Sequence, residues 1–374
     1  MGDVASDWVG VGIALVLGVG GCGGRVEQVN VGSEREPGGL AMMQGRGGET
    51  QSADPTAPGT ASTPACSFTR RTDARFDDAT GSFSPDGSLL ALLGNAAAPL
   101  QVLRPLDDFV MSAFEHPRSQ NYYRATVSPD DRLVAAVGDG VTLFRVADGA
   151  VLADVPADGQ APDNGQATAL DFSHDGQLLA TADGSNATAN IWSVPDLGLV
   201  RSISVRPDQY KRAGSSIAFS PDDSRVATVT GNVVAMWNVA DGSPVWSQAI
   251  PFCSQVGDVM FSPDGTQLVE ACLDGPNGIL SATTGRMSPA PALGTASHGV
   301  GSVSYYDDDH ILIGDDGLGA RIWARDAEGV WSPSCLLTSE TPQWGQVTAS
   351  RGGRRLYIHV NGGTNAAWIY EQAL

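Results

Sequence analysis

The stretch Phe83-Ser84-Pro85-Asp86-Gly87, FSPDG, recurs unchanged at Phe261–Gly265. Near copies read VSPDD at Val127–Asp131, FSHDG at Phe172–Gly176 and FSPDD at Phe219–Asp223. Proline presets φ for a tight turn, Asp bonds its own backbone, and Gly accepts positive φ. The pentapeptide therefore reads as a turn, and its Asp as a turn former and not a catalyst.

The first residues of the five copies lie 44, 45, 47 and 42 positions apart. Two degenerate copies keep the pace, with Tyr305 in YYDDD 44 after Phe261 and Ala349 in ASRGG 44 after Tyr305. Each unit has one order of parts. A short strand ends in the anchor residue, the turn follows, and an apolar strand comes next, as in RVATVTG at Arg225–Gly231. A third strand ends in an aromatic, as in VAMWNV at Val234–Val239, and a turn such as Asp241-Gly242 leads to an outer strand. Strand-like alternation with a turn every ten residues or so predicts an all-β chain of seven four-stranded antiparallel units. Seven such units close into a β-propeller. Composition agrees: 46 Gly, 22 Pro and only 17 % charged residues suit many short strands and turns.

These features resemble the WD40-repeat family over residues 65–374. Trp192, Trp237 and Trp323 stand where that family has its signature Trp, but Ser193, Asn238 and Ala324 replace the Asp that follows it. The Gly-His pair of the family is absent, although His116 lies near its position in the second unit. The resemblance therefore implies the fold and leaves the family's His–Ser–Trp hydrogen-bond network mostly unavailable. It also implies closure by an N-terminal strand. The last unit stops at its third strand, AAWIYEQAL, and ACSFTRRT at Ala65–Thr72 is similar to the outer strand SCLLTSET at Ser334–Thr341. Ala65–Thr72 is expected to seal the last blade and leave no open edge.

The first segment reads as an address. Trp8–Gly21, WVGVGIALVLGVGG, suits the apolar core of an export signal and is short for a membrane span. Val19-Gly20-Gly21-Cys22 resembles the lipobox of bacterial lipoproteins, which implies lipidation of Cys22 and a signal peptide over residues 1–22. Gly23 after the cysteine implies outer-membrane delivery, facing the periplasm or the cell surface, with secretion as the other export route. Residues 23–64 are rich in Gly, Ser, Thr, Pro and Ala, and read as a disordered tether.

Four further cysteines allow three disulfide connectivities. Cys253 precedes the first strand of the fifth unit and Cys272 ends its second, which places both at one face and favours that pair. Cys66 and Cys335, on outer strands of neighbouring units, are the candidate second pair. No CxxC, HExxH, GxSxG or P-loop occurs, so no metal, cofactor or enzymatic activity is expected. The five histidines, at 116, 174, 298, 310 and 359, share no pattern. Asp307-Asp308-Asp309 with Asp315-Asp316 could hold Ca²⁺, but aligns with turns that carry Asp in every unit.

A formal net charge of −20, with Lys211 the one lysine, excludes nucleic acid as a partner and predicts membrane attachment through a lipid anchor only. A monomer is expected. Loops between one unit's outer strand and the next unit's inner strand carry Tyr122-Tyr123-Arg124, Tyr210-Lys211-Arg212 and Gln343-Trp344. Tyr, Trp and Arg are enriched in binding hot spots. The expected function is a non-enzymatic protein-interaction scaffold at the bacterial envelope, binding through this loop face. The alternative is an exported propeller enzyme, or a propeller that binds a glycan or small molecule.

Overall fold

A computed structural model of the chain describes residues 68–71, 80–93, 100–105, 109–114, 122–156, 167–183, 188–205, 216–288, 302–315, 319–338, 345–350, 355–360 and 366–372. These form seven antiparallel sheets, with no helix among the described residues. Blade one is Thr80–Phe83, Leu90–Leu93, Leu100–Arg104 and Phe109–Phe114. Blade two is Tyr122–Val127, Leu133–Gly138, Gly140–Arg145 and Val151–Pro156. Blade three is Ala167–Phe172, Leu178–Asp183, Thr188–Ser193 and Leu199–Ser204. Blade four is Ile217–Phe219, Arg225–Thr230, Val233–Asn238 and Pro244–Ala249. Blade five is Val256–Phe261, Gln267–Cys272 and Gly278–Ser281, with Met287 bridging Leu280 where the fourth strand would begin. Blade six is Val303–Asp307, His310–Asp315, Gly319–Arg325 and Trp331–Thr338.

Blade seven is closed from the other end of the chain. Gly345–Ala349, Arg355–Val360 and Ala366–Gln372 supply its first three strands, and Phe68–Arg71 is the fourth, with Phe68 opposite Gln372 and Arg71 opposite Ile369. Each inner strand packs against the next, and that of blade seven against that of blade one. The chain is a seven-bladed propeller, closed as its sequence predicts.

The core is divided among the blade junctions. Seven buried apolar clusters occur among the described residues, one at each of the seven contacts between neighbouring blades. The anchor residue of a repeat lies at the junction with the preceding blade: Phe172 against blade two, Phe219 against blade three, Phe261 against blade four, Tyr305 against blade five. Burying such a ring is worth about 1.5–3 kcal/mol, so the anchors make the ring cohere and the period recur.

The five close copies share one hydrogen-bond pattern. The serine hydroxyl donates to the Asp two residues on, at 2.8 Å in Ser84–Asp86, 2.7 Å in Ser128–Asp130 and Ser173–Asp175, and 2.6 Å in Ser220–Asp222 and Ser262–Asp264. The same carboxylates accept the N–H of Ser88, Arg132, Gln177, Ser224 and Thr266. The fifth residue has positive φ whether it is Gly, as in Gly176 at 70°, or Asp, as in Asp131 at 61° and Asp223 at 59°. The two residue types do different work. An Asp reaches back to the preceding blade: Asp131 Oδ2 accepts from Ser88 Oγ at 2.5 Å, and Asp223 accepts the N–H groups of His174 and Asp175 at 2.7 and 3.0 Å. A Gly instead admits a neighbour, since a Cβ at Gly265 would lie 3.3 Å from Pro221.

Two of the signature tryptophans are nonetheless hydrogen-bonded: Trp192 Nε1 donates to Thr181 Oγ1 and Trp237 Nε1 to Thr228 Oγ1, each at 2.9 Å. Threonine on the second strand supplies the acceptor without the family's histidine.

Candidate functional site

The inner strands surround a central cavity of about 220 Å³. Arg124, Asp171 and Asp258 are its charged lining residues on inner strands, among Ser, Thr and apolar groups. The inner-strand acids bolt strand to strand. Asp258 Oδ1 accepts from Ser216 Oγ of blade four at 2.6 Å, and its Oδ2 from Ser302 Oγ of blade six at 3.4 Å. Asp171 Oδ2 accepts the Phe219 N–H of blade four at 2.8 Å. The single Ser302 hydroxyl proton is shared with Val347 O of blade seven, the nearer acceptor at 2.8 Å, and Ser82 and Thr126 hydroxyls join blades one and two at 3.3 Å. A carboxylate already holding hydroxyl and amide donors has a structural task, and these bonds tie the acids to the inner strands of neighbouring blades.

Tyr122, Tyr123 and Arg124 begin the inner strand of blade two, at a bulge in its pairing, and do not form a free loop. Tyr122 packs edge-on to Phe144, centroids 6.1 Å apart. Tyr123 turns out to solvent and Arg124 lines the cavity. The bulge breaks the alternation of the strand and aims adjacent side chains in three directions. Tyr210, Lys211, Arg212, Gln343 and Trp344 lie outside the described residues, as do Cys22, Cys66, His116, His298 and Asp316.

Sequence reasoning missed Phe252. It sits between the outer strand of blade four and the inner strand of blade five, and is 90 % exposed. Its φ is +60°, a conformation that bulky residues rarely adopt. The three residues that follow it are fastened. The expected Cys253–Cys272 disulfide is present, with Cα atoms 5.8 Å apart. Ser254 N–H donates to Asp274 Oδ1 at 2.8 Å, and Leu273 N–H to Gln255 O at 3.0 Å. Gly275 packs so closely beneath the strap that a Cβ there would stand 2.2 Å from Phe252 O. The aromatic directly before a cysteine, in PFCSQ, was the available signal. Cys335 is also disulfide-bonded, while its candidate partner Cys66 is not among the described residues.

The acidic candidates for a metal are engaged locally. Asp307 holds His310 Nδ1 at 2.8 Å, Asp308 accepts the Asp264 N–H at 2.8 Å, and Asp309 accepts from Arg325 at 3.0 Å. Cys253, Cys272 and Asp274 cluster closely enough to share an ion, but the two sulfurs are bonded to each other and offer no thiolate.

Blade five carries one buried acid. Glu270 occupies the position that Thr181 and Thr228 hold in blades three and four, opposite Val259 and Gly278. Leu280 stands where those blades have Trp, so no indole N–H meets the carboxyl. Burial pushes Glu270 up to about 8, and the Gly278 N–H offsets this only in part.

The family model for the WD40 repeat (WD domain, G-beta repeat) matches residues 160–193. That segment runs into blade three and ends one residue past Trp192. With the seven-bladed ring, the match makes this a WD40-like propeller.

Proposed function

We propose that this chain is a non-enzymatic protein-interaction scaffold of the bacterial cell envelope, exported and held to the membrane through lipid on Cys22. WD40-like propellers commonly serve as interaction platforms, and fold alone does not assign one. The observation that carries the reading is the exposure of aromatic side chains where the chain enters inner strands. Tyr123 is 41 % exposed at the start of the inner strand of blade two, and Phe252 stands out just before that of blade five. The inner-strand acids, by contrast, are spent on joining blades. The Cys253–Cys272 disulfide is consistent with export. A partner of extended polypeptide character suits the exposed Tyr123, and acidic character would suit it only if Lys211 and Arg212 join the same face.

The test is affinity capture with the mature domain, comparing wild type with Tyr123→Ala and with the Tyr210, Lys211 and Arg212 triple alanine variant. Partners lost from both variants support the face; an unchanged set of partners removes it. Labelling a parallel sample with palmitate tests the anchor, which requires incorporation that disappears in Cys22→Ser. The central cavity is the observation that favours the second reading, a small ligand at its mouth. A panel of soluble glycans and lactones that shifts the melting temperature of wild type but not of Arg124→Ala would favour that reading instead.

A further inference from the structure

We infer that Phe252 is the anchor of a protein-docking site on blade five, received by an apolar pocket with a basic rim. This rests on the scaffold reading above and names a place and a partner chemistry within it.

The argument begins with cost. A phenylalanine held in the left-handed region loses free energy that Gly or Asn would not. At 90 % exposure Phe252 recovers almost nothing from burial in its own chain. Among the described residues of blade five, none buries the ring. The backbone that carries it is over-determined: the disulfide follows directly at Cys253, Ser254 is tied to Asp274, and Gly275 receives the Phe252 carbonyl. Such a strap fixes the backbone and the Cα–Cβ direction at Phe252 before any partner arrives, which leaves only side-chain rotamers to be ordered on binding. Hot spots are side chains buried in well-packed, desolvated pockets of the partner, and a large apolar ring on a fixed backbone can fill one.

The partner's rim follows from charge. Asp274, in the same strap, is fully open to solvent, and hydrogen bonds from the Ser254 hydroxyl and N–H hold it below the usual carboxylate range. The whole chain carries −20. A basic rim would meet both, and the contact would weaken with added salt.

The experiment places the photo-crosslinker benzoylphenylalanine at position 252 of the full chain in native cells, with position 330 as an exposed control and position 123 as a second arm. Val330 is 48 % exposed in the turn before Trp331. The protein joined at 252 and not at 330 is then purified and titrated against intact chain. The inference expects Phe252→Asn to weaken binding at least tenfold while melting no lower than wild type. It expects Cys253→Ser/Cys272→Ser to weaken binding severalfold, and wild-type affinity to fall as salt rises. No adduct specific to 252, a phospholipid adduct, or a partner indifferent to Phe252→Asn overturns it. Unchanged affinity in the double cysteine variant, or affinity that ignores salt, overturns the pre-organised strap or the basic rim respectively. An adduct at 123 in the absence of one at 252 leaves the scaffold reading standing; adducts at neither position end both.

Discussion

The His174 N–H of blade three donates to Asp223 Oδ1 of blade four at 2.7 Å, and the His174 ring Nδ1 lies 2.9 Å from the same oxygen. The other carboxylate oxygen takes the Asp175 N–H at 3.0 Å. The turn of one repeat is thus completed by the turn of the next. Asp223→Ala removes the acceptor and leaves a β-carbon at φ 59°. Water can reach the freed amides in part, so the loss is set at about 1–2 kcal/mol. Asp223→Gly relaxes the backbone and should lose less. Denaturant midpoints for the two variants check the order, and an alanine variant as stable as wild type would remove the latch.

Stability should pass through a maximum near pH 4–5. Glu270 has its folded value raised to about 8 from 4.5. Its burial is therefore harmless below about 4.5, and stability falls as pH rises from there through about 8. The turn aspartates act the other way. The Gln177 N–H and Ser173 hydroxyl hold Asp175 below its ordinary 3.8, and the Ser220 hydroxyl does the same for Asp222. Their contribution is present above 3.8 and is lost as pH falls below it. Glu270→Gln should flatten the upper limb, a difference on the order of a few kcal/mol between pH 5 and 8. Thermal melts across that range decide; a parallel fall in the variant would show that Glu270 is not the cause.

Closure is most exposed to test where blade seven meets blade one. Tyr357 packs over Gly81 so tightly that a Cβ there would lie 2.7 Å from the ring. The φ of Gly81 is not in the left-handed region, so space alone requires glycine. Arg355 reaches the Gly87 carbonyl and pairs with Glu371 at 3.1 Å. Gly81→Ala should cost about 1–3 kcal/mol by overpacking. Deleting Phe68–Arg71 should cost more, because it exposes the edge of Ala366–Gln372 and uncovers the cluster around Leu356 and Tyr370. A deletion variant that kept the wild-type melting temperature would contradict the observed pairing.

The ring was legible because its parts repeat. Phe83, Phe172, Phe219 and Phe261 recur in register, and each performs the same packing task at its junction. The disulfide was legible because both cysteines fall at one end of blade five. Phe252 was not, since φ and exposure depend on how Cys253 and Gly275 fasten the strap. Tyr122-Tyr123-Arg124 was read as a loop because a bulge disrupts alternation without leaving a turn residue. The split roles of Asp and Gly at the fifth turn position needed neighbouring blades in view: Asp223 and Gly265 have the same φ sign, yet the first accepts amides of the preceding blade and the second makes room for its proline.

The tryptophan–threonine pairs should be energetically coupled, and unequally. Trp192 and Thr181 are both buried, whereas Trp237 keeps partial contact with solvent. A hydrogen bond that cannot be replaced by water is costlier to leave half-made. In a double-mutant cycle, Trp237→Phe with Thr228→Val should give a coupling of about 0.5–1.5 kcal/mol. The Trp192→Phe and Thr181→Val cycle should give the larger value of the two. Each single variant strands one polar group or loses one donor, so the doubles should be less destabilised than the sum. Strict additivity at Trp192–Thr181, measured by urea unfolding, would show that the threonine merely fills space and that the WD40-like blades cohere through packing alone.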